Sequence, residues 1–169
     1  MNNNTITVNI ADMKVAKSAD ILVTYALGSC VGICLYDPLR KIGALGHIML
    51  PVAHNEQDAI EKKHRFANTC VPEMINQMIN QGCAKRNIVA KIAGGATMFK
   101  LVNSQRANAN SDLNQIGAKN IVAVKQSLKE HGITLLAEDT GADYARTVFF
   151  NTENGEVTIK SHSKQVKNL

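Results

Sequence analysis

The chain has 169 residues, 45% of them hydrophobic, which suits one folded domain with a sizeable core. Aromatics make up only 4% and Trp is absent, so that core is aliphatic. The net charge of +5 comes from dispersed lysines and arginines with no basic run between aromatics, which disfavours nucleic acid as a partner, and no apolar stretch approaches the roughly 20 residues of a membrane span.

In chain order, Ile6, Val8 and Ile10 alternate and predict a strand over 5–10, followed by another over Ile21 to Leu27. Two apolar strands come next, one opened by Cys30 and one carrying His47 near its end, joined by Asp37-Pro38-Leu39-Arg40, which has turn chemistry. A polar loop is expected from about His54 to His64. A helix then runs to Gln81 and stops at Gly82; Thr69 as its N-cap would put Pro72 in the first turn. Ile88 to Ala93 reads as a strand ending in Gly94-Gly95, and Asn103 to Asp112 as an exposed loop. A second helix is expected from about Ala118 to His131, with Ile121, Val124 and Leu128 on one face. Strands over 133–137, 144–150 and 156–161 follow, the last two joined by the hairpin signal Asn154-Gly155. Residues 162–169 form a polar, basic tail, expected to be loosely ordered. This order predicts a mixed α/β, α+β-like fold. A layered β core of mixed and antiparallel strands is flanked by two main helices, within a single domain over 1–161.

The chemistry sits in the hairpin. If Asp37 faces Arg40 across the turn, Cys30 lies directly opposite His47, with Cβ atoms about 5 Å apart. A thiol becomes a strong nucleophile as thiolate, and an adjacent imidazolium lowers its pKa. A Cys–His pair is sufficient for acyl transfer: sulfur attacks a carbonyl carbon and the imidazole protonates the leaving group. Gly28-Ser29 would hold Cys30 at a strand end with free backbone N–H groups, as an oxyanion site requires. The competing reading is a packed, inert thiol. Ser29 is a rival nucleophile, but no G-x-S-x-G elbow surrounds it, so it reads as a turn residue beside the oxyanion site. Gly94 and Gly95 predict a close backbone approach at the substrate groove. Arg65 and Arg146 are candidates for contact with substrate or partner.

Four cysteines at 30, 34, 70 and 83, in a chain with no export signal at its start, default to free thiols in the cytoplasm. A zinc site on Cys30, Cys34, His47 and His54 is disfavoured, because no Cys-x2-Cys pair is present. No metal and no organic cofactor is expected.

Leu27-Gly28-Ser29-Cys30-Val31-Gly32-Ile33-Cys34-Leu35-Tyr36-Asp37-Pro38, followed by Gly46-His47-Ile48-Met49-Leu50-Pro51, resembles the chemoreceptor glutamine deamidase family (CheD). Lys91 to Ala96, Ile116 to Asn120, and Leu136 to Gly141 with Ala145-Arg146 are similar to later blocks of that family. Two positions depart from it, Ala142 and Ala145, where the family usually or often has glycine. The resemblance implies Cys30 as nucleophile, His47 as base and acid, and Thr24 as third member, its hydroxyl fixing the imidazole tautomer. It implies cytoplasmic chemoreceptor helices as substrate, a CheC-type phosphatase as regulatory partner, and no insertion into the membrane. The alternative function is a non-catalytic protein that binds and stimulates that phosphatase.

Overall fold

The computed structural model describes residues 3–98, 111–163 and 165–169, side chains of 111–114 excepted. The strands are β1 (Thr5–Thr7), β2 (Asp12–Lys17), β3 (Ile21–Leu27), β4 (Val31–Asp37), β5 (Ile42–Ile48), β6 (Val89–Gly94), β7 (Thr134–Thr140), β8 (Arg146–Asn151), β9 (Val157–Ser161) and β10 (Val166–Asn168). The helices are α1 (Glu56–Glu61), α2 (Ala67–Asn80) and α3 (Ser111–Glu130).

The strands form two sheets. The central one has the order β2-β5-β4-β6-β7, and the outer one β1-β3-β8-β9-β10. β4 and β5 are buried along their whole length. Such strands need apolar or small residues at every position, because both faces are covered. Val31, Ile33 and Leu35 pack with Met74, Met78, Val124 and Leu128 of α2 and α3. Cys34, Tyr36 and Leu45 pack the other way, with Leu22, Val148 and Phe150 of the outer sheet. The molecule is therefore a helix layer, a central sheet and an outer sheet, as the layered expectation has it.

α2 follows from its pattern. Ala67, Cys70, Val71, Met74, Ile75 and Met78 are buried at helical spacing. Gly46 lets it come close: a Cβ there would stand 2.8 Å from Met74 Sδ and 3.1 Å from Cys70 Sγ.

Several local expectations change. The helix begins at Ala67, so Thr69 is not the cap and Pro72 falls beyond the first turn; the Thr69 hydroxyl instead donates to Lys63 O at 2.6 Å. β2 and the short α1 were not expected. Asn55 caps α1 by accepting from the Asp58 N–H. α3 starts at Ser111, ahead of the expected Ala118, while most of the loop expected over 103–112 lies outside the described residues. The tail is not loose: β10 pairs with β9, whose edge would otherwise expose unpaired backbone groups.

The β4–β5 register also differs. The ladder ends at Asp37 facing Ile42, leaving four residues, Pro38 to Lys41, in the loop. Asp37 Oδ1 accepts from the Leu39 and Arg40 N–H groups, and Lys41 closes the turn at φ 51°. The residue facing His47 is consequently Gly32, not Cys30. The shift is by two residues, so every side chain keeps its face. Cys30, just before β4, becomes a diagonal neighbour of His47 and packs against the inter-sheet core.

Candidate active site

Thr24 and His47 meet across the two sheets. Thr24, on β3 of the outer sheet, and His47, on β5 of the central sheet, are both fully buried. The Thr24 hydroxyl lies 2.7 Å from Val8 O and 2.7 Å from His47 Nδ1. A carbonyl oxygen can only accept, and a hydroxyl has one hydrogen to give. That hydrogen goes to Val8, so Nδ1–H donates to Thr24 Oγ1. The neutral imidazole is thereby held with its lone pair on Nε2. Nε2 is buried and has no partner among the described residues.

Cys30 lies in the crossing from β3 to β4, where the chain passes between sheets, and it is partly exposed. Gly32, which faces His47, carries no side chain of its own, and Leu27 packs over it, 3.0 Å from where a Cβ would be. Diagonal neighbours across an antiparallel pair stand roughly 7–8 Å apart at the backbone, within reach of a long side chain. Met98 packs over Gly28, 3.0 Å from where a Cβ would be.

Burial moves both titrating groups toward their neutral forms. It pushes the Cys30 thiol up, against the opposing pull of its own backbone N–H, and lowers His47 to about 4. The resting pair is thus thiol and imidazole. Burial disfavours the expected imidazolium–thiolate pair, because neither charge is solvated between the sheets. The Nε2 lone pair is available to accept a proton.

The loop before Cys30 is fixed through its carbonyls. Gly28 O accepts from Ala96 N at 2.8 Å, and Cys30 O from Gly95 N at 2.7 Å. Between them, Ser29 O accepts from Asn120 Nδ2 at 2.9 Å. The Cys30 N–H favours the thiolate of its own residue, the smaller influence beside burial.

Comparison with known proteins gives a match to the family model "CheD chemotactic sensory transduction" over residues 49–161. A protein of Caldanaerobacter subterraneus subsp. tengcongensis named "Probable chemoreceptor glutamine deamidase CheD" is 42% identical over 167 residues, 99% of each chain. One from Syntrophomonas wolfei with the same name is 44% identical over 156 residues, 92% of each. The chain belongs to the CheD family. The matched span, 49–161, contains none of Thr24, Cys30 and His47; the full-length relatives cover them. A solved structure, Bacillus licheniformis hypothetical protein YfiH, aligns with TM-score 0.43 at 12% identity, covering 78% of this chain and 51% of that one, and bears on nothing further.

Against the family pattern, the departure at Ala142 falls on a backbone position with φ 58°, where glycine is unstrained. Its carbonyl accepts from Thr97 N at 2.8 Å.

The remaining candidates resolve differently. Arg146 is 1% exposed: Nε donates to Asp139 Oδ2 at 3.0 Å and a terminal nitrogen donates to Gly141 O at 3.0 Å, with Tyr144 stacked 4.2 Å from the guanidinium. Burial raises the Asp139 pKa, but Arg146 and Lys167 outweigh it and hold the carboxyl below its usual range. The placement of Arg146 as a substrate or partner contact is therefore corrected. It is a buried ion pair whose remaining terminal nitrogen has no hydrogen-bond partner among the described residues.

Arg65 is half-buried, and its main-chain carbonyl accepts from Met49 and Leu50 N–H, securing the end of β5. Gly94 and Gly95 are buried beneath the Cys30 loop and do not line a groove. A Cβ on Gly94, at φ 113°, would collide with Cys30 O; one on Gly95 would collide with Ile121 of α3. The Gly95 N–H is committed to Cys30 O, which removes it as an oxyanion donor. Cys34 is 3% exposed between the sheets, and burial pushes its thiol up to about 12. An apolar cavity of about 280 Å³ beside Cys34, Tyr36 and Phe150 does not touch Cys30 or His47.

Sequence reasoning missed Asn120. The available signal was a polar residue in the buried stripe of α3, in step with Gly117 and Val124.

Proposed function

We propose that this chain is a cysteine amidohydrolase that converts glutamine side chains of chemoreceptors to glutamate with release of ammonia. The observation that carries the chemistry is the His47 ring, oriented by Thr24 and presenting an unpartnered Nε2 on the face that Cys30 shares. The family and the names of its full-length members supply the substrate class.

The Cys30 sulfur attacks the carboxamide carbon while its proton passes to Nε2. The Cys30 N–H stabilises the oxyanion that forms. The Nε2 proton then goes to the amide nitrogen, the C–N bond breaks and ammonia leaves a thioester. Water attacks the thioester as Nε2 takes its proton. Glutamate leaves, and the thiol recovers the proton. Thr24 Oγ1, accepting from Nδ1–H, stabilises the transient imidazolium.

The substrate is a receptor cytoplasmic helix, the location is the cytoplasm, and a CheC-type phosphatase is the regulatory partner. No described helix is long and apolar enough to cross a membrane.

The test is mass spectrometry of receptor fragments for the Gln-to-Glu change. Cys30→Ala is expected to abolish it with the fold retained, since a partly exposed loop thiol carries little packing. Cys34→Ala keeps most activity, at a stability cost of roughly 1 kcal/mol for the small cavity. Equal loss of activity in both variants would refute the nucleophile assignment and favour a purely regulatory protein.

A further inference from the structure

We infer that Asn120 of α3 is a positioning residue that sets the oxyanion site by locking the peptide between Ser29 and Cys30. The inference rests on the deamidase reading above.

Asn120 is fully buried in the helix layer. Its amide nitrogen donates to two carbonyls from separate segments: Ser29 O, one residue before the nucleophile, and Met49 O, two residues after the base, both at 2.9 Å. Both amide hydrogens are therefore engaged. One side chain ties the nucleophile's loop to the base's strand.

A peptide unit is planar and trans, so its C=O and N–H point in opposite directions. Holding Ser29 O toward α3 turns the Cys30 N–H away from α3, to the side of the thiol. A flip of this one peptide would put a carbonyl oxygen where the oxyanion forms, and repulsion would replace stabilisation. The peptides on either side are held by main-chain donors, Ala96 N and Gly95 N, which no substitution removes. The middle one depends on a side chain. Gly95 and Gly117 allow α3 close enough: a Cβ on Gly117 would stand 2.5 Å from Gly95 O and 2.6 Å from Ala96 O.

The experiment separates this role from a general loosening of the loop. Alkylation of Cys30 by iodoacetamide is a displacement at carbon and forms no oxyanion; deamidation forms two. In Asn120→Ala, kcat for deamidation of a receptor fragment is expected to fall about 10²–10³-fold, the usual effect of one lost oxyanion donor. KM and the alkylation rate and pH profile should stay near wild type. Asn120→Asp, of the same size but without donors when ionised, should match it. A fall in alkylation parallel to deamidation, or a kcat within a few-fold of wild type, overturns the inference. Should neither variant fold, the wild-type protein decides. With a peptide whose glutamine carboxamide is replaced by an aldehyde, Cys30 adds to the carbonyl carbon and its proton ends on the carbonyl oxygen; that hemithioacetal oxygen sits at the oxyanion site, and the Cys30 amide proton should move downfield as it donates to it. An unmoved proton in a formed adduct overturns the role. Alkylation of Cys30 with no deamidation by the wild type would instead count against the deamidase reading itself.

Discussion

At the scale of the residue, the decisive group is His47. Its folded pKa of about 4 lies below the ordinary imidazole value near 6.5. Between those values the unfolded chain binds a proton that the native chain refuses. Stability should therefore fall as pH drops from about 6.5 to about 4, by up to about 3 kcal/mol from this group. Denaturant unfolding across that range, in the wild type and in His47→Ala, isolates the contribution. The acid limb of kcat/KM should lie near 4–5, because the base stays unprotonated down to there. Alkylation of Cys30 should rise in a single step above the usual thiol range, with no low-pH limb. An acid limb near 6.5 would mean that His47 is solvated.

At the scale of the element, most strands and both long helices could be read from periodicity, because β4, β5 and α2 each keep one pattern from end to end; β2 and β10 could not. The shared face of Cys30 and His47 could also be read, since an even register shift preserves it. The register itself could not. It depends on Lys41 taking a left-handed conformation that lysine rarely signals, so two further residues entered the loop. Asn120 escaped for a different reason: its partners are main-chain oxygens, which leave no trace in side-chain identity. The burial of Arg146 was hidden likewise, because its acceptors include the Gly141 and Tyr144 carbonyls. Gly94 shows how an element end serves the site. At φ 113° and against Cys30 O, Gly94→Ala should lose about 1–3 kcal/mol from backbone strain alone, and deamidation with it. Thermal unfolding alongside the receptor assay tests this; a variant with full activity would mean the loop can back away from β6 without consequence.

At the scale of the whole molecule, the site lies where the chain crosses between sheets, with exposed Met98 packed beside it over Gly28. A site of that kind suits a glutamine presented on a helix. A partner that offers a helix to the same place should compete with the receptor, and the basic charge of the chain should speed encounter with acidic helices. Deamidation rate is expected to fall as purified CheC-type phosphatase is added, and a flat rate at saturating partner would place the two on separate surfaces. The locked loop has a consequence for synthesis. Thr24, Cys30 and His47 leave the ribosome early, whereas Gly94, Gly95, Gly117 and Asn120, which hold the loop, follow by 47 residues or more. Until they arrive, the loop carbonyls of Gly28, Ser29 and Cys30 lack the donors that hold them in the folded chain. On the inferred role of Asn120, the deamidase site is complete only once α3 has been made.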